Sequence, residues 1–349
     1  MPPPKLDLDW KEYGPFSFPV FYGQKAYNAW AGDTIQLTAA VVGTAVVFSF
    51  LARLGLSIWS YIKPSKLQVY CHSETGSWAL VTGASDGIGR AFVDELLDRG
   101  FNVMLHGRNR EKLERITKAL AEQFPRRTID FVVADASSLD HPEDAVVEKV
   151  QQLPGKLTVL VNNVGGVPTK PQYVSLHKIT ADSIDTQINI NARFPTQLIR
   201  ALLPTLQENQ PSIILTCGSA GGISGAPYIA TYTATKAYVH NLTQSLKAEM
   251  VVEGFAPDKK YTKGVEVQGY IIGNTRSAQN TTEMPYFTAS ARECAKGCLA
   301  RIGSGKALEY PTWKVAMQIG LMVTLPEAVT RKAVAKEMIA RKTQAEKEE

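Results

Sequence analysis

The sequence predicts an α/β chain, doubly wound about a mostly parallel sheet with helices on both faces and preceded by one N-terminal transmembrane helix. Three observations carry that expectation. Short apolar strand-like runs alternate with amphipathic helix-like runs from residue 78 onward, the first strand ends in a glycine-rich turn, and residues 35–52 carry no charge over 18 positions. Repeated strand–helix units give parallel sheets covered on both sides. Composition agrees. A chain of 349 residues with 44% hydrophobic and 20% charged side chains is not a disordered polymer, and it is long enough to bury a full core without staples. Its four cysteines (Cys71, Cys217, Cys294, Cys298) form neither a disulfide framework nor a zinc-type spacing, so no metal is expected. A net charge of +5 without a dense Lys/Arg run gives no sign of a nucleic-acid partner.

Taken in order, residues 1–34 match no pattern and are set apart as an extension. Residues 35–52 read IQLTAAVVGTAVVFSFLA, and apolar character resumes past Arg53 to Ile62. A charge-free run of this length is a candidate membrane span. Val, Ala and Phe lie all round its helical wheel, so a soluble helix here would lack a polar face. The run starts too late, and without a basic leader, for a secretory signal. Trp59, Tyr61 and Lys63 fall where an aromatic and basic belt meets a bilayer surface. Three basic residues precede the run (Lys5, Lys11, Lys25) and three follow it closely (Arg53, Lys63, Lys66), so charge sets no orientation. The chain therefore divides into an extension (1–34), an anchor (35–62), a sheet domain (63–275) and a tail (276–349).

Residues 78–84, WALVTGA, give the first strand. TGASDGIG (82–89) then opens a helix, RAFVDELLDRG, closed by Gly100, as a C-terminal glycine should. FNVMLHGR is the second strand and EKLERITKALAEQF the second helix. TIDFVVAD ends a third strand at Asp135, and LTVLVNNVGG (157–166) is a fourth. The helix TQLIRALLPTL, the strand SIILTCGSAGG and the helix TYTATKAYVHNLTQSLKAEM continue the alternation. Strand, glycine turn, helix and strand together supply the context that a lone glycine motif lacks. Gly83, Gly87 and Gly89 let the backbone approach a pyrophosphate at a helix N-terminus. The turn Gly83, Ser85, Asp86, Gly87, Ile88, Gly89 is thus the candidate cofactor cradle. About twenty residues beyond such a turn, chains that use NAD place an acid on the ribose. Here Leu105-His106-Gly107-Arg108 has none, and Arg108 suits the 2′-phosphate of NADP(H). A solvated arginine opening a helix is the plainer alternative. His106 receives no role.

Tyr232 and Lys236 form a YxxxK. Positions i and i+4 share a helix face, so the ammonium sits near the phenol and favours its ionised form. Alone this spacing is common. Thirteen residues earlier, Ser219 lies in GSAGG at a strand end, able to hydrogen-bond a carbonyl oxygen.

In this order TGASDGIG, Asp135, NNVGG, Asn191, Ser219 and YTATK resemble the short-chain dehydrogenase/reductase superfamily over residues 76–275. The resemblance implies a Rossmann-type sheet in which Tyr232 gives a proton to the substrate oxygen, Ser219 fixes that oxygen and Lys236 holds the ribose. Asn191, preferred to the neighbouring Asn189, would hold a water of the proton relay. Asp135 would cap the adenine, Asn163 would lie over the adenosine ribose, and Gly165 would join the cofactor site. The alternative is that Asp135 and Asn162 or Asn163 satisfy turn backbone.

WALVTGASDGIGRAF, the run around 105–114, YTATKAYV and the late FTASARECAKGCLARIG look most like the membrane-anchored very-long-chain 3-oxoacyl-CoA reductases and 17-beta-hydroxysteroid dehydrogenases. This implies NADPH-dependent reduction of a ketone on an apolar substrate, either a 3-oxoacyl-CoA or a steroid or specialised-metabolite ketone. It also implies a single-pass endoplasmic reticulum protein with its catalytic domain cytosolic, as a homodimer or beside lipid-biosynthesis enzymes. The alternative is a non-catalytic subunit of the same fold in a membrane complex. Two departures stand out. VEVQGYIIGNTRS places Gln268-Gly269 where the family has a proline after its sixth strand, and it displaces Thr275. The apolar stretch 313–325 is too short to span and is expected at a membrane surface or at the substrate entrance.

Overall fold

The computed structural model describes residues 25–73, 76–277, 280 and 286–348. The chain separates into two units, residues 1–63 and 64–349.

The first unit contains α1 (Lys25–Ile62), which holds the whole charge-free run. Residues 1–24 of the expected extension lie outside the described set, and the helix begins ten residues before the expected anchor. Among its described side chains Leu37, Val41, Val46, Phe48, Leu51, Ile58 and Trp59 are exposed, so the helix shows apolar surface on every side. Among the described residues no helix is long and apolar enough to cross a membrane.

The second unit is built on a seven-stranded sheet. Its strands are β1 (Ser77–Thr82), β2 (Asn102–Gly107), β3 (Ile129–Val133), β4 (Lys156–Asn162), β5 (Ser212–Cys217) and β6 (Val265–Tyr270), with β9 (Leu308–Glu309) at one edge. They run in the order β3-β2-β1-β4-β5-β6-β9, all pairs parallel. The expected doubly wound sheet is therefore present. The order reverses between β1 and β4, where Val81 stands between Leu105 and Val161. A crevice at the carboxyl ends of such neighbours is where ligands bind in this architecture.

Alternation along β1 explains why both faces are covered. Ala79 and Val81 join one buried cluster, with Phe92, Leu96 and Leu105. Trp78 and Leu80 join the other, with Leu160, Phe194, Leu198 and Leu246. The first face is covered by α2 (Gly87–Asp98), α3 (Arg110–Gln123) and α8 (Ala291–Ala300). The second is covered by α4 (Pro142–Gln151), α5 (Ala181–Ile188), α6 (Phe194–Glu208) and α7 (Ala230–Val252). Local chemistry starts several of these helices. Asn109 accepts the Lys112 amide at 2.8 Å, and Ser290 with Glu293 makes a reciprocal cap on α8. Such caps satisfy amides the helix itself leaves unpaired.

The tail is part of the sheet unit rather than a separate region. β9 extends the sheet, a short ribbon of β7 (Thr275–Arg276) and β8 (Ala289–Ser290) leads into α8, and α9 (Trp313–Thr324) and α10 (Glu327–Glu348) follow. Along α9, Val315 and Ile319 are buried with Ile271, while Trp313, Met317 and Leu321 are exposed. The reading of Gln268-Gly269 as the exit from the sixth strand needs correction. Both residues are inside β6, opposite Leu215 and Thr216, and the chain leaves the sheet at 271–274. Gln268 is polar but fully buried, with Nε2 donating to the Arg301 carbonyl at 3.1 Å.

Candidate active site

The carboxyl ends of β1, β4 and β5 bring the expected residues to one edge of the sheet. After β1 the backbone turns through Gly83 at φ +65° and Gly87 at φ +54°, values that cost a side-chain-bearing residue but not glycine. Gly89 serves a different need. A Cβ there would overlap the Gly83 carbonyl oxygen and come within 2.6 Å of Asn163 Nδ2, so only glycine lets α2 start this close to the turn. Asp86 caps α2, accepting the Gly87 amide at 2.6 Å. Lys112 donates to its second oxygen at 2.9 Å, and that bond holds the carboxyl below its ordinary range. Ile88 anchors the turn against the core, and Ser85 is half-buried on it. Arg108, one residue past β2, is exposed and takes no partner among the described residues. An open cleft of about 600 Å³ begins at Gly87, lined by Arg90, Arg276 and Arg292; Ser219 and Tyr232 are not part of it.

Asn163 ties β4 to this turn. Its amide donates to Thr82 Oγ1 at 2.9 Å and its Nδ2 to the Thr82 carbonyl at 2.9 Å, which leaves its Oδ1 for a ligand. Asp135 closes a local turn, its Oδ1 accepting the amide and hydroxyl of Ser137 at 3.0 and 2.8 Å. The turn alternative therefore describes one oxygen of Asp135, and the other carries no hydrogen bond among the described residues.

Asn191 and Asn189 point to different places. The chain between α5 and α6 takes one wide turn of π-helix, 189–193, a distortion common at functional positions. Asn191 is buried there, with Oδ1 accepting the Gly166 amide at 2.8 Å and Nδ2 donating to the carbonyls of Gly166 and Gln187 at 2.8 and 2.9 Å. Asn189 instead donates to Ser137 at 3.2 Å, away from the tyrosine. A Cβ on Gly165 would lie 2.6 Å from Asn191 Oδ1 and 2.9 Å from Lys236 Nζ, so these two polar ends share one small space.

Lys236 is buried, and its ammonium donates to the Cys217 carbonyl at 3.1 Å, 5.7 Å from the centre of the Tyr232 ring. Beyond Cys217 the loop carries Ser219, whose Oγ accepts the Gly221 amide at 3.1 Å. Because that hydroxyl accepts from the backbone, its own proton is left to donate outward. A Cβ on Gly221 would lie 3.5 Å from Ser219 Oγ and 3.7 Å from Tyr232 Cε1. Serine and tyrosine thus flank one glycine.

Two contributors escaped sequence reasoning. His240, one turn beyond Lys236, receives the Ser219 amide on Nε2 at 3.3 Å; its i+8 spacing from Tyr232 was the available signal. The C-terminal helix α10 also reaches back to this edge. Arg341 donates to Asn274 Oδ1 at 3.2 Å, and the Lys342 ammonium sits 5.6 Å over the ring of Tyr228, four residues before Tyr232. No motif in the tail announces this.

This arrangement of fold and site defines a class, and comparison agrees: residues 77–280 match the short chain dehydrogenase family, and the chain belongs to it. A very-long-chain 3-oxoacyl-CoA reductase-like protein of Arabidopsis thaliana is 31% identical over 271 residues, covering 76% of this chain and 81% of that protein. Hydroxysteroid dehydrogenase-like protein 1 of Gallus gallus is 31% identical over 257 residues, 72% of this chain and 73% of its own. A human protein named inactive hydroxysteroid dehydrogenase-like protein 1 is 34% identical over 179 residues, 51% of this chain and 53% of its own. Among solved structures, the short-chain dehydrogenase from Sphingobium yanoikuyae in complex with NADPH superposes with a TM-score of 0.59 at 23% identity, over 72% of this chain and 97% of that one.

Proposed function

We propose that the protein is an NADPH-dependent ketoreductase acting on an apolar substrate, of which a long-chain 3-oxoacyl-CoA is the favoured class. The observation that carries this reading is the convergence of Ser219, Tyr232, Lys236 and Asn191 at the carboxyl edge of the sheet, beside a glycine turn that opens a helix. The cradle fits such a cofactor, since Gly83 and Gly87 take positive φ and no Cβ obstructs Gly89. Gly83, Ser85, Asp86, Gly87, Ile88 and Gly89 would hold the pyrophosphate side, Arg108 the 2′-phosphate, and Asp135, Asn163 and Gly165 the adenosine half. When bound, the reduced nicotinamide supplies the hydride that reaches the carbonyl carbon.

The remaining steps belong to this chain. Ser219, its lone pair engaged by Gly221, donates to the substrate carbonyl oxygen and orients it. Tyr232 delivers the proton to that oxygen as the C–O bond becomes single, which is general-acid catalysis by a positioned side chain. Lys236, fixed by the Cys217 carbonyl, keeps a cation beside the phenol and stabilises the tyrosinate left behind. Asn191, whose amide hydrogens are taken by Gly166 and Gln187, would hold on the remaining lone pair of its Oδ1, in the small space it shares with Lys236, a water that returns a proton to the pair.

The reductase-like relative supports the acyl-CoA reading, the hydroxysteroid dehydrogenase-like relatives keep a steroid ketone beside it, and the intact Ser, Tyr and Lys set speaks for turnover. The relative named as inactive is the observation that favours a second reading, a non-catalytic member of the fold. A panel of 3-oxoacyl-CoA, steroid and small ketones, scored by NADPH oxidation, separates the two. Turnover on a ketone that is lost in Tyr232→Phe supports the enzyme. NADPH binding with no turnover on any ketone supports the scaffold.

The same proposal places the enzyme on the endoplasmic reticulum with residues 63–349 cytosolic and 1–34 lumenal; the charge-free run 35–52, continued to Ile62, is the segment proposed to enter the bilayer, although among the described residues no helix meets the length and apolarity of a span on its own. What supports it is the charge-free run inside one helix with apolar side chains exposed on every side, together with the need for cytosolic cofactor. Retention in the membrane pellet after carbonate extraction is expected, as is digestion of the catalytic unit by protease added to intact microsomes. Release by carbonate would overturn the anchor, and protection of the catalytic unit would overturn the orientation.

A further inference from the structure

His240 is a buried titratable group beside the chemistry to which the mechanism above gives no task. It is 5% exposed and lies on α7 two turns from Tyr232 and one from Lys236, so the three share a face. Its ring is wedged into the loop that presents Ser219. A Cβ on Gly218 would overlap the ring, and one on Gly222 would come within 2.8 Å of His240 Cε1. The two glycines that bracket the loop are therefore the space the imidazole occupies. Between them the Ser219 amide donates to His240 Nε2 at 3.3 Å.

We infer that His240 is a positioning residue, whose imidazole Nε2 holds the Ser219 backbone and so fixes the direction in which the Ser219 hydroxyl meets the substrate oxygen. The inference rests on the ketoreductase reading for its consequence in turnover, but not for the contact itself. Three features support it. An imidazole accepts at Nε2 only when that nitrogen is bare, so the ring must be neutral with its proton on Nδ1. Burial, reinforced by the neighbouring Lys236 ammonium, depresses its pKa to about 4, which keeps the ring neutral throughout the physiological range. The loop is also held at both ends by the same helix: the Cys217 carbonyl receives Lys236, and the next amide but one is held by His240. The cation that serves the tyrosine and the acceptor that serves the serine are thereby set at a fixed separation by one helical turn.

The test uses the full-length protein. In His240→Leu the volume is roughly kept and the acceptor is lost. Turnover on the substrate found by the ketone panel is expected to fall about 10–100-fold, in the range of a lost buried hydrogen bond at a reacting group. KM and NADPH affinity should stay within about threefold. His240→Gln, which returns an acceptor at similar reach, should recover most of that loss. Hydrogen exchange of the Ser219 amide, which needs no substrate, should be slow in the wild type and in His240→Gln and fast in His240→Leu. A 15N-histidine spectrum of the wild type should show His240 with a bare Nε2. Unchanged turnover and Ser219 protection in His240→Leu would overturn the inference, as would a proton found on Nε2. Should no ketone be turned over by the wild type, the ketoreductase reading fails, while exchange and the nitrogen spectrum still decide whether His240 holds Ser219.

Discussion

After β1 and after β5 the chain leaves the sheet through glycine-rich loops, 83–89 and 218–222, and the glycines meet different neighbours. In the first loop Gly83 and Gly87 supply backbone angles that other residues resist, Ser85 is half-buried and Asp86 is exposed. Its glycines are set by backbone angle and by the close start of α2, Gly89 lying against the Gly83 carbonyl and Asn163, which leaves the outer side of the turn as the side proposed to take a ligand. In the second loop Gly218 and Gly222 meet the protein itself, the imidazole of His240 and the backbone of Lys236 and Ala237. That loop is shaped to be held still. One sequence feature, glycine at a strand end, thus serves approach by a ligand in one place and approach by a helix in the other. The difference separates binding from turnover in a way mutation can expose.

The largest effect is expected at Tyr232, on the helix that packs against the second loop. Tyr232→Phe keeps the ring, its packing and Lys236, and removes only the phenolic hydroxyl. Turnover should fall by about 10²–10⁴-fold with NADPH affinity and melting temperature close to wild type. Near-native turnover would remove Tyr232 from its role and leave the second loop without a purpose.

Next comes a pair of substitutions that asks the two loops to trade outcomes. Gly89→Ala must push the Cβ into the Gly83 carbonyl, and forced overpacking of this sort costs about 1–3 kcal/mol. NADPH affinity, followed by fluorescence titration, should weaken by about 5–150-fold on the same scale, with a lowered melting temperature. Gly218→Ala drives a methyl into His240 instead, so turnover should fall while NADPH still binds. Gly225, with nothing within 4 Å of its Cβ position, is the control and should tolerate alanine. Loss of cofactor binding in Gly218→Ala would break the distinction between the loops.

Cofactor choice sharpens the first loop further. Arg108 is exposed and unpaired among the described residues, so its removal disturbs little else. Arg108→Ala should weaken NADPH by about 10–100-fold, the worth of a hydrogen bond to a charged group, and leave NADH nearly unchanged. Equal weakening of both would make Arg108 the solvated helix opener that its position also allows.

The fold was legible wherever a residue's surroundings lie close in sequence. WALVTGA announced a buried strand because both of its faces are apolar, and TGASDGIG announced its turn because glycine and a capping Asp act within a few residues. Helical spacing put Tyr232 and Lys236 on one face, and only the glycine turn, Ser219 and the strand–helix context made them candidates. What stayed hidden depends on partners far along the chain. Gln268 reads as loop until Arg301, 33 residues later, accepts its amide. β9, two residues long, has no periodicity of its own. The choice of Asn191 over Asn189 rested on resemblance, and the reason for the difference is the π-helical turn between α5 and α6, which no side-chain pattern encodes. His240 was visible as a letter on the right face, but its meaning depends on the two glycines whose space it fills.

The smallest effect contrasts the two buried histidines. His106, 1% exposed at the end of β2, stacks on Phe194 at 5.1 Å, and neither ring nitrogen makes a well-formed hydrogen bond among the described residues. Burial depresses its pKa to about 4, and the Ala134 backbone opposes this only weakly. The ring is therefore neutral in the folded protein, while in the unfolded chain it titrates near the ordinary value of about 6.5. Between those two values the unfolded state binds more protons, so stability rises with pH across that window. The contribution is complete above pH 6.5 and is lost as pH falls toward 4, by about 3 kcal/mol on a shift of this size. His240 adds to the same acid limb. His106→Leu abolishes one of the two titrations and also removes two unsatisfied polar atoms from the core, so it should cost less than about 1 kcal/mol near neutrality. Melting temperatures from pH 7.5 down to 4.5 should show the variant at or slightly below wild type at the upper end and above it at the lower, with turnover unaffected. A variant as acid-sensitive as the wild type would mean that His106 has a partner in solution and that its burial beside Phe194 is not what depresses its pKa.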